Sequence, residues 1–116
     1  MAVEMRPAQA LRLLHDFAQA LVTGGEPDLS ARQLAILLTI YTEPPPHTVR
    51  GLAAKLKVTK PVITRALDTM GKLGLVSRKR DPADKRNVII QRTVKGALYV
   101  EKLGDLVVAK AQELPR

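Results

Sequence analysis

The sequence predicts a mainly α-helical fold that carries one small β-hairpin. Apolar residues recur at helical spacing in five segments, each opened by a capping residue or a proline. Almost half of the 116 residues are apolar but only three are aromatic, so the core has to be built from Leu, Val, Ile and Ala, which favours packed helices. Two strand-like runs, Leu75 to Lys79 and Val88 to Arg92, flank the charged stretch RKRDPADKRN, and this arrangement reads as a hairpin. The length predicts a single domain over 1–116.

The first helix is expected over 7–22. Pro7 is tolerated in the opening turn, Leu11, Leu14, Phe17, Ala18 and Leu21 form its apolar stripe, and Gly24-Gly25 ends it. Ser30 with Gln33 has the spacing of a capping box, and Leu29 with Leu34 that of a hydrophobic staple. The helix they open is apolar on most sides, which makes it the buried centre of the domain, and Pro44-Pro45-Pro46 stops it. Thr48 then caps a short helix carrying Leu52, Ala53 and Leu56. Thr59 caps another from about Lys60 to Leu73, with Ile63, Ala66, Leu67, Met70 and Leu73 on one face and Lys60, Pro61, Thr64, Arg65, Asp68 and Lys72 on the other. Gly74 closes it in the position favoured after a helix. After the hairpin, Thr93 caps a last helix over 93–114, with Leu98, Leu103, Leu106, Val107 and Leu114 apolar.

The net charge of +8 is not spread evenly. Between Lys55 and Lys95 twelve Lys and Arg face only Asp68, Asp81 and Asp84, while the rest of the chain is close to neutral. A basic segment beside a neutral remainder is the footprint of a protein that meets a polyanion. The absence of cysteine excludes disulfides, thiol redox sensing and cysteine-based metal sites. His15 and His47 are too far apart and too poorly accompanied to argue for a metal. No Ser/His/Asp set, glycine-rich phosphate loop or carboxylate pair in an apolar pocket suggests an enzyme, and no cofactor is implied. No segment is long and apolar enough to cross a membrane, so the default is a cytoplasmic protein.

Two capped helices joined by a tight turn at Lys57-Val58, followed directly by a charged hairpin, form a helix-turn-helix with a wing. The second helix is expected to enter the major groove of double-stranded DNA with its N-terminal residues nearest the base edges. Leu52-Ala53-Ala54-Lys55-Leu56-Lys57-Val58-Thr59, Val62-Ile63-Thr64-Arg65-Ala66-Leu67-Asp68 and Lys72-Leu73-Gly74-Leu75-Val76 resemble the winged helix-turn-helix of MarR-type transcriptional regulators. Asp81-Pro82-Ala83-Asp84-Lys85-Arg86 is similar to that family's D-x-R wing signature. The resemblance covers residues 29–96, and the winged core is placed over 29–92.

The resemblance implies a bacterial, nucleoid-associated, sequence-specific DNA-binding regulator. On the recognition helix, Thr59, Lys60, Pro61, Thr64, Arg65 and Lys72 are the candidate contacts. Thr59 is first a helix cap, which can also touch a phosphate; Pro61 is either a first-turn residue or a ring offered to a thymine methyl; and Arg65, favoured as a DNA contact, has Asp68 or Thr69 as its alternative partner. On the wing, Arg86 is expected in an adjacent minor groove, where a narrow A·T-rich segment concentrates negative potential. Asp84 orients it, while Arg78, Lys79, Arg80 and Lys85 add phosphate contacts. The apolar stripes of the two terminal helices exceed what one small core uses. MarR-type regulators dimerise through such helices, so Leu11, Leu14, Phe17, Ala18, Leu21, Leu103, Leu106, Val107 and Leu114 are the expected homodimer interface. The short flanking helices argue against a small-molecule effector pocket. Arg92, where the family has an apolar residue before the threonine, either disturbs the strand end or adds a phosphate contact. The alternatives are a winged-helix module for protein–protein assembly and a non-specific architectural DNA-binding protein. The scarcity of aromatic residues for base stacking disfavours RNA.

Overall fold

The computed structural model describes residues 3–25 and 27–115. It contains five helices and three short strands: α1 (Pro7–Thr23), α2 (Ala31–Thr42), β1 (His47–Thr48), α3 (Val49–Leu56), α4 (Lys60–Lys72), β2 (Val76–Arg80), β3 (Val88–Arg92) and α5 (Val94–Gln112). The chain divides into two compact units. One is formed by residues 29–100, the other by the two ends, up to residue 28 and from residue 101.

In the unit of residues 29–100, the local chemistry sets the helix ends. Ser30 Oγ accepts the Gln33 N–H at 3.1 Å and Gln33 Oε1 accepts the Ser30 N–H at 2.8 Å, the reciprocal pair the spacing predicts. Ile36, Leu37 and Ile40 of α2 are fully buried with Ile63, Leu67 and Met70 of α4, and Leu52, Leu75, Val76 and Ile90 complete this core. Thr48 Oγ1 accepts the Gly51 N–H at 2.9 Å and so caps α3. Helix α4 ends in a hydrogen-bonded turn: the Gly74 N–H reaches the Gly71 carbonyl and the Leu75 N–H the Met70 carbonyl, each at 3.0 Å, with Gly74 at φ +77°. These two hydrogen bonds answer two orphan carbonyls of α4 and carry the chain into β2 through the short turn of residues 73–75.

Three expectations need correction. The sheet has three strands in the order β1-β3-β2, because His47 and Thr48 pair antiparallel with Ile90 and Ile89. A two-residue strand has too little pattern to be read in sequence. The last helix ends at Gln112, so Leu114 lies outside it. Thr59 sits at the N-cap position of α4 but its side chain makes no capping hydrogen bond. Pro61 has no N–H to offer, and the next amide, that of Val62, is already bound to the Thr59 carbonyl at 3.1 Å.

In the unit formed by the two ends, α1 buries none of its side chains. Leu11 and Leu14 are about two-thirds exposed, Ala18 is exposed, and Phe17 and Leu21 are half-buried. From α5, Leu103 is buried, Leu106 and Leu114 are half-buried, and Val107 is exposed. Gln9 Nε2 donates to the Pro115 carbonyl at 3.2 Å. His15 is engaged by its neighbour: Asp16 takes a 2.9 Å hydrogen bond from His15 Nδ1 and a 3.2 Å ion pair from Arg12. The His15 hydrogen bond is the main reason the Asp16 carboxyl titrates below its ordinary range.

Candidate nucleic-acid interface

Helix α4 separates its residues by chemistry. Ile63, Ala66, Leu67 and Met70 face the core and are buried, while Thr59, Lys60, Pro61, Thr64, Arg65, Asp68 and Lys72 are all exposed. Val62 is half-buried at the margin. Arg65 pairs with neither sequence candidate: Thr69 Oγ1 donates to the Arg65 backbone carbonyl at 3.3 Å, and Asp68 Oδ1 instead holds Arg78 NH1 at 2.8 Å. The Asp68–Arg78 pair ties the recognition helix to the base of the wing, and it engages a guanidinium that the sequence assigns to phosphate.

The wing is the hairpin of β2 and β3, registered Val76↔Arg92 to Arg80↔Val88, with residues 81–87 as its tip. Two aspartates fold this tip. Asp81 Oδ1 accepts the Ala83 N–H at 2.9 Å, and Asp84 Oδ1 accepts the Arg86 N–H at 3.1 Å, both turns in which a carboxylate stands in for a backbone acceptor. Asp84 also takes the Arg86 guanidinium, Nε at 3.2 Å and NH2 at 3.5 Å. These bonds hold the Asp84 carboxyl below its ordinary range: the Arg86 side chain contributes most, its backbone N–H next, and the charge of Arg50 adds to them. Arg86 is thus held at its base while remaining largely exposed to solvent. Arg80 NH1 donates to the Lys85 carbonyl at 2.7 Å across the tip. Lys79 and Lys85 are exposed.

Arg50 lies just outside the basic segment, Lys55 to Lys95, to which the sequence points. It sits in the first turn of α3, close enough to the wing for its charge to act on Asp84. The β1–β3 pairing, which the pattern hides, places the strand before α3 beside the strand after the tip.

Arg92 resolves differently from both expectations. Its Nε donates to the Ile40 carbonyl at 2.8 Å and its NH2 to the Glu43 carbonyl at 2.9 Å, while the guanidinium carbon lies 5.8 Å from the centre of the Tyr41 ring. A cation on the carbonyls that end α2 complements the negative end of the helix dipole, so the strand end is well anchored and this charge is not free for phosphate. Among the described residues no group of three or more His, Cys, Asp or Glu is placed to hold a metal ion, and no helix is long and apolar enough to cross a membrane. A cleft of about 270 Å³ is lined by Thr39, Glu43, His47, Thr48 and Lys55 among others. Its polar groups answer one another: Lys55 is ion-paired with Glu43, and His47 Nε2 donates to the Glu43 carbonyl at 3.1 Å.

Comparison with known proteins agrees with this geometry. The family model described as MarR family matches residues 29–88. YkoM, an uncharacterized HTH-type transcriptional regulator of Bacillus subtilis (strain 168), is 26% identical over 103 residues, covering 82% of this chain and 66% of its own length. The organic hydroperoxide resistance transcriptional regulator of the same bacterium is 37% identical over 59 residues, 51% of this chain and 40% of its own. The chain therefore spans less than two thirds of the length of either relative. Among solved structures, reduced AbfR bound to DNA matches with a TM-score of 0.69 at 25% identity, over 93% of this chain and 74% of that one. The family match runs unbroken from the residue before the Ser30 cap, through the recognition helix and the whole wing tip, to the first residue of β3; covering more than half of the sequence, it establishes that the chain belongs to the MarR family.

Proposed function

We propose that the protein is a sequence-specific regulator of transcription that binds double-stranded DNA as a homodimer in the bacterial cytoplasm. Helix α4 lies in the major groove, where Thr64 and Arg65 reach base edges, Pro61 can offer its ring to a thymine methyl, and Thr59, Lys60 and Lys72 meet the flanking backbone. The wing follows the backbone to the adjacent minor groove and inserts Arg86 there. Exposed Leu11, Leu14 and Val107 pair with a second copy, and a two-fold dimer of this kind reads half-sites about one helical turn apart, roughly 10 bp. The observation that carries the reading is the Asp84–Arg86 pair: an exposed arginine is aimed from the tip of a basic hairpin, beside a recognition helix whose solvent face carries only polar residues and a proline.

Catalysis has no part in this reading. Thiol oxidation has none either, since the sequence offers no cysteine to oxidise.

The test is a salt titration of binding to random-sequence duplex and to the DNA upstream of the protein's own gene. A steep fall of affinity with salt, and a preference of about a thousandfold or more for the upstream DNA, is the expected result. Steep salt dependence without preference for any duplex selected from a randomised pool indicates an architectural protein. No binding to either DNA at low salt overturns the reading in favour of a protein-assembly module.

A further inference from the structure

Arg80 is the last residue of β2, and the composition of the wing tip casts it as one more phosphate contact. Its geometry says otherwise. The guanidinium reaches across the tip and donates to the Lys85 carbonyl at 2.7 Å. Lys85 is the residue immediately before Arg86, so this bond fixes the peptide plane from which Arg86 departs. The remaining tip bonds converge on the same short segment: the Asp81 N–H binds the Asn87 carbonyl at 3.0 Å, the Asn87 N–H binds the Asp84 carbonyl at 2.9 Å, and Asp84 holds Arg86 from below. All but the Arg80 bond arise within the tip itself. Among the described residues, Arg80 alone ties the 84–86 turn to the end of the opposite strand through a side-chain hydrogen bond.

Resting on the DNA-binding reading above, we propose that Arg80 is a positioning residue of the wing: by clamping the Lys85 carbonyl it sets the direction in which Arg86 meets the groove. The backbone bonds Asp81–Asn87 and Asn87–Asp84 both meet at Asn87, at one end of the seven-residue tip, and a groove contact held to within a fraction of an ångström needs a further point of support at Lys85. A guanidinium suits this role because its planar array of donors keeps a fixed direction, whereas an ammonium is a rotating point charge. The chemistry separates the two roles. A phosphate contact tolerates Arg80→Lys, which keeps the charge. A clamp does not.

The experiment uses the full chain, with duplexes that the wild-type protein selects from a randomised pool and a random-sequence duplex as probes. Arg80→Lys is expected to lower the preference for the selected duplex about tenfold while leaving random-sequence binding and its salt slope unchanged. In an Arg86→Ala background the same substitution is expected to change the preference less than about twofold, because its effect runs through Arg86. In the free protein, the NMR order parameter of the Arg86 Nε–H is expected to fall in Arg80→Lys. This last measurement tests the clamp even if the wild type binds no DNA, a result that strikes the functional reading alone. An Arg80→Lys protein that keeps both wild-type preference and a wild-type Arg86 order parameter overturns the proposal. So does a loss of equal size with and without Arg86.

Discussion

The Tyr41 hydroxyl accepts the backbone N–H of Thr93 at 3.0 Å and donates to the Leu75 carbonyl at 2.7 Å. One side chain near the end of α2 thereby joins the start of the wing to the strand–helix junction that closes it. Thr93 adds to the same knot, its Oγ1 donating to the Gly74 carbonyl at 2.7 Å and accepting the Gly96 N–H at 2.9 Å. Gly96 passes so close to the Tyr41 hydroxyl and the Leu75 carbonyl that a Cβ there would overlap both.

Removing the hydroxyl with Tyr41→Phe leaves a part-buried N–H and a carbonyl without their partner. A destabilisation of about 1–3 kcal/mol is expected in denaturant unfolding. Gly96→Ala is expected to cost at least as much, since one of the clashing atoms belongs to the backbone and has little freedom to move. Wild-type stability for Gly96→Ala would show that this junction is looser than its geometry.

Lys57 holds φ +56°, in the left-handed region, at the turn between α3 and α4. An L-residue with a Cβ is disfavoured there by about 1–2 kcal/mol, part of which glycine returns through its greater freedom in the unfolded chain. Lys57→Gly is therefore expected to raise stability by about 0.5–1 kcal/mol, read as a higher denaturation midpoint at unchanged slope.

The depressed titration of Asp84 makes a pH prediction. Because its folded value lies below the unfolded one, its contribution to stability is present above the unfolded value and is lost as pH falls through the folded value. The tip is thus fully formed at neutral pH and loosens only in acid. In an NMR titration, the Asp84 carboxyl is expected to move up toward the ordinary aspartate range in Arg86→Ala, whose guanidinium is the largest cause of the shift. An unmoved midpoint would mean that the pair does not persist in solution.

Arg86 and Lys79 are expected to fail differently on DNA. Arg86→Ala should weaken binding to a selected duplex by about 1–3 kcal/mol and relax sequence choice at the bases under the wing. Lys79→Ala should weaken all sequences alike and reduce the slope of log affinity against log salt by about 0.9. Equal behaviour of the two variants would remove the distinction between groove and backbone contacts.

The terminal helices are tested by Leu11→Glu and Leu14→Glu. Both side chains are about two-thirds exposed in one chain, so neither charge disturbs a packed core. Sedimentation is expected to show monomers with wild-type helical content, and operator affinity should fall with the loss of the second half-site. Leu103 is already buried within the chain, and its replacement is expected to affect folding as well as association.

Much of the winged core was legible in the sequence because its signals are local. The Ser30–Gln33 box, the glycine after α4 and the alternation of faces along α4 each depend on residues within one or two turns, and each is found in place. What escaped depends on partners distant in sequence. The His47–Thr48 strand exists only because β3 lies beside it. Arg92 looked out of place until the end of α2 was brought to it from some fifty residues away. The silent Thr59 side chain is a local effect, but one that follows from two competing details, the Pro61 ring and the Thr59 carbonyl. On the wing, composition counted charges correctly yet could not say which are engaged: Arg78 by Asp68 and Arg80 by Lys85.

The strand order β1-β3-β2 leaves β2 at the rim of the sheet. A strand in that position offers unpaired backbone groups to any neighbouring molecule, and natural proteins protect such rims with charge. Ser77, Arg78, Lys79 and Arg80 make β2 exposed and cationic along almost its whole length. The wing's charge therefore also keeps copies of the protein from adding strand to strand. Charge-removing substitutions in β2 uncover a sticky border as they weaken contacts to DNA, and a loss of solubility in such variants is a property of the sheet, distinct from any loss of binding.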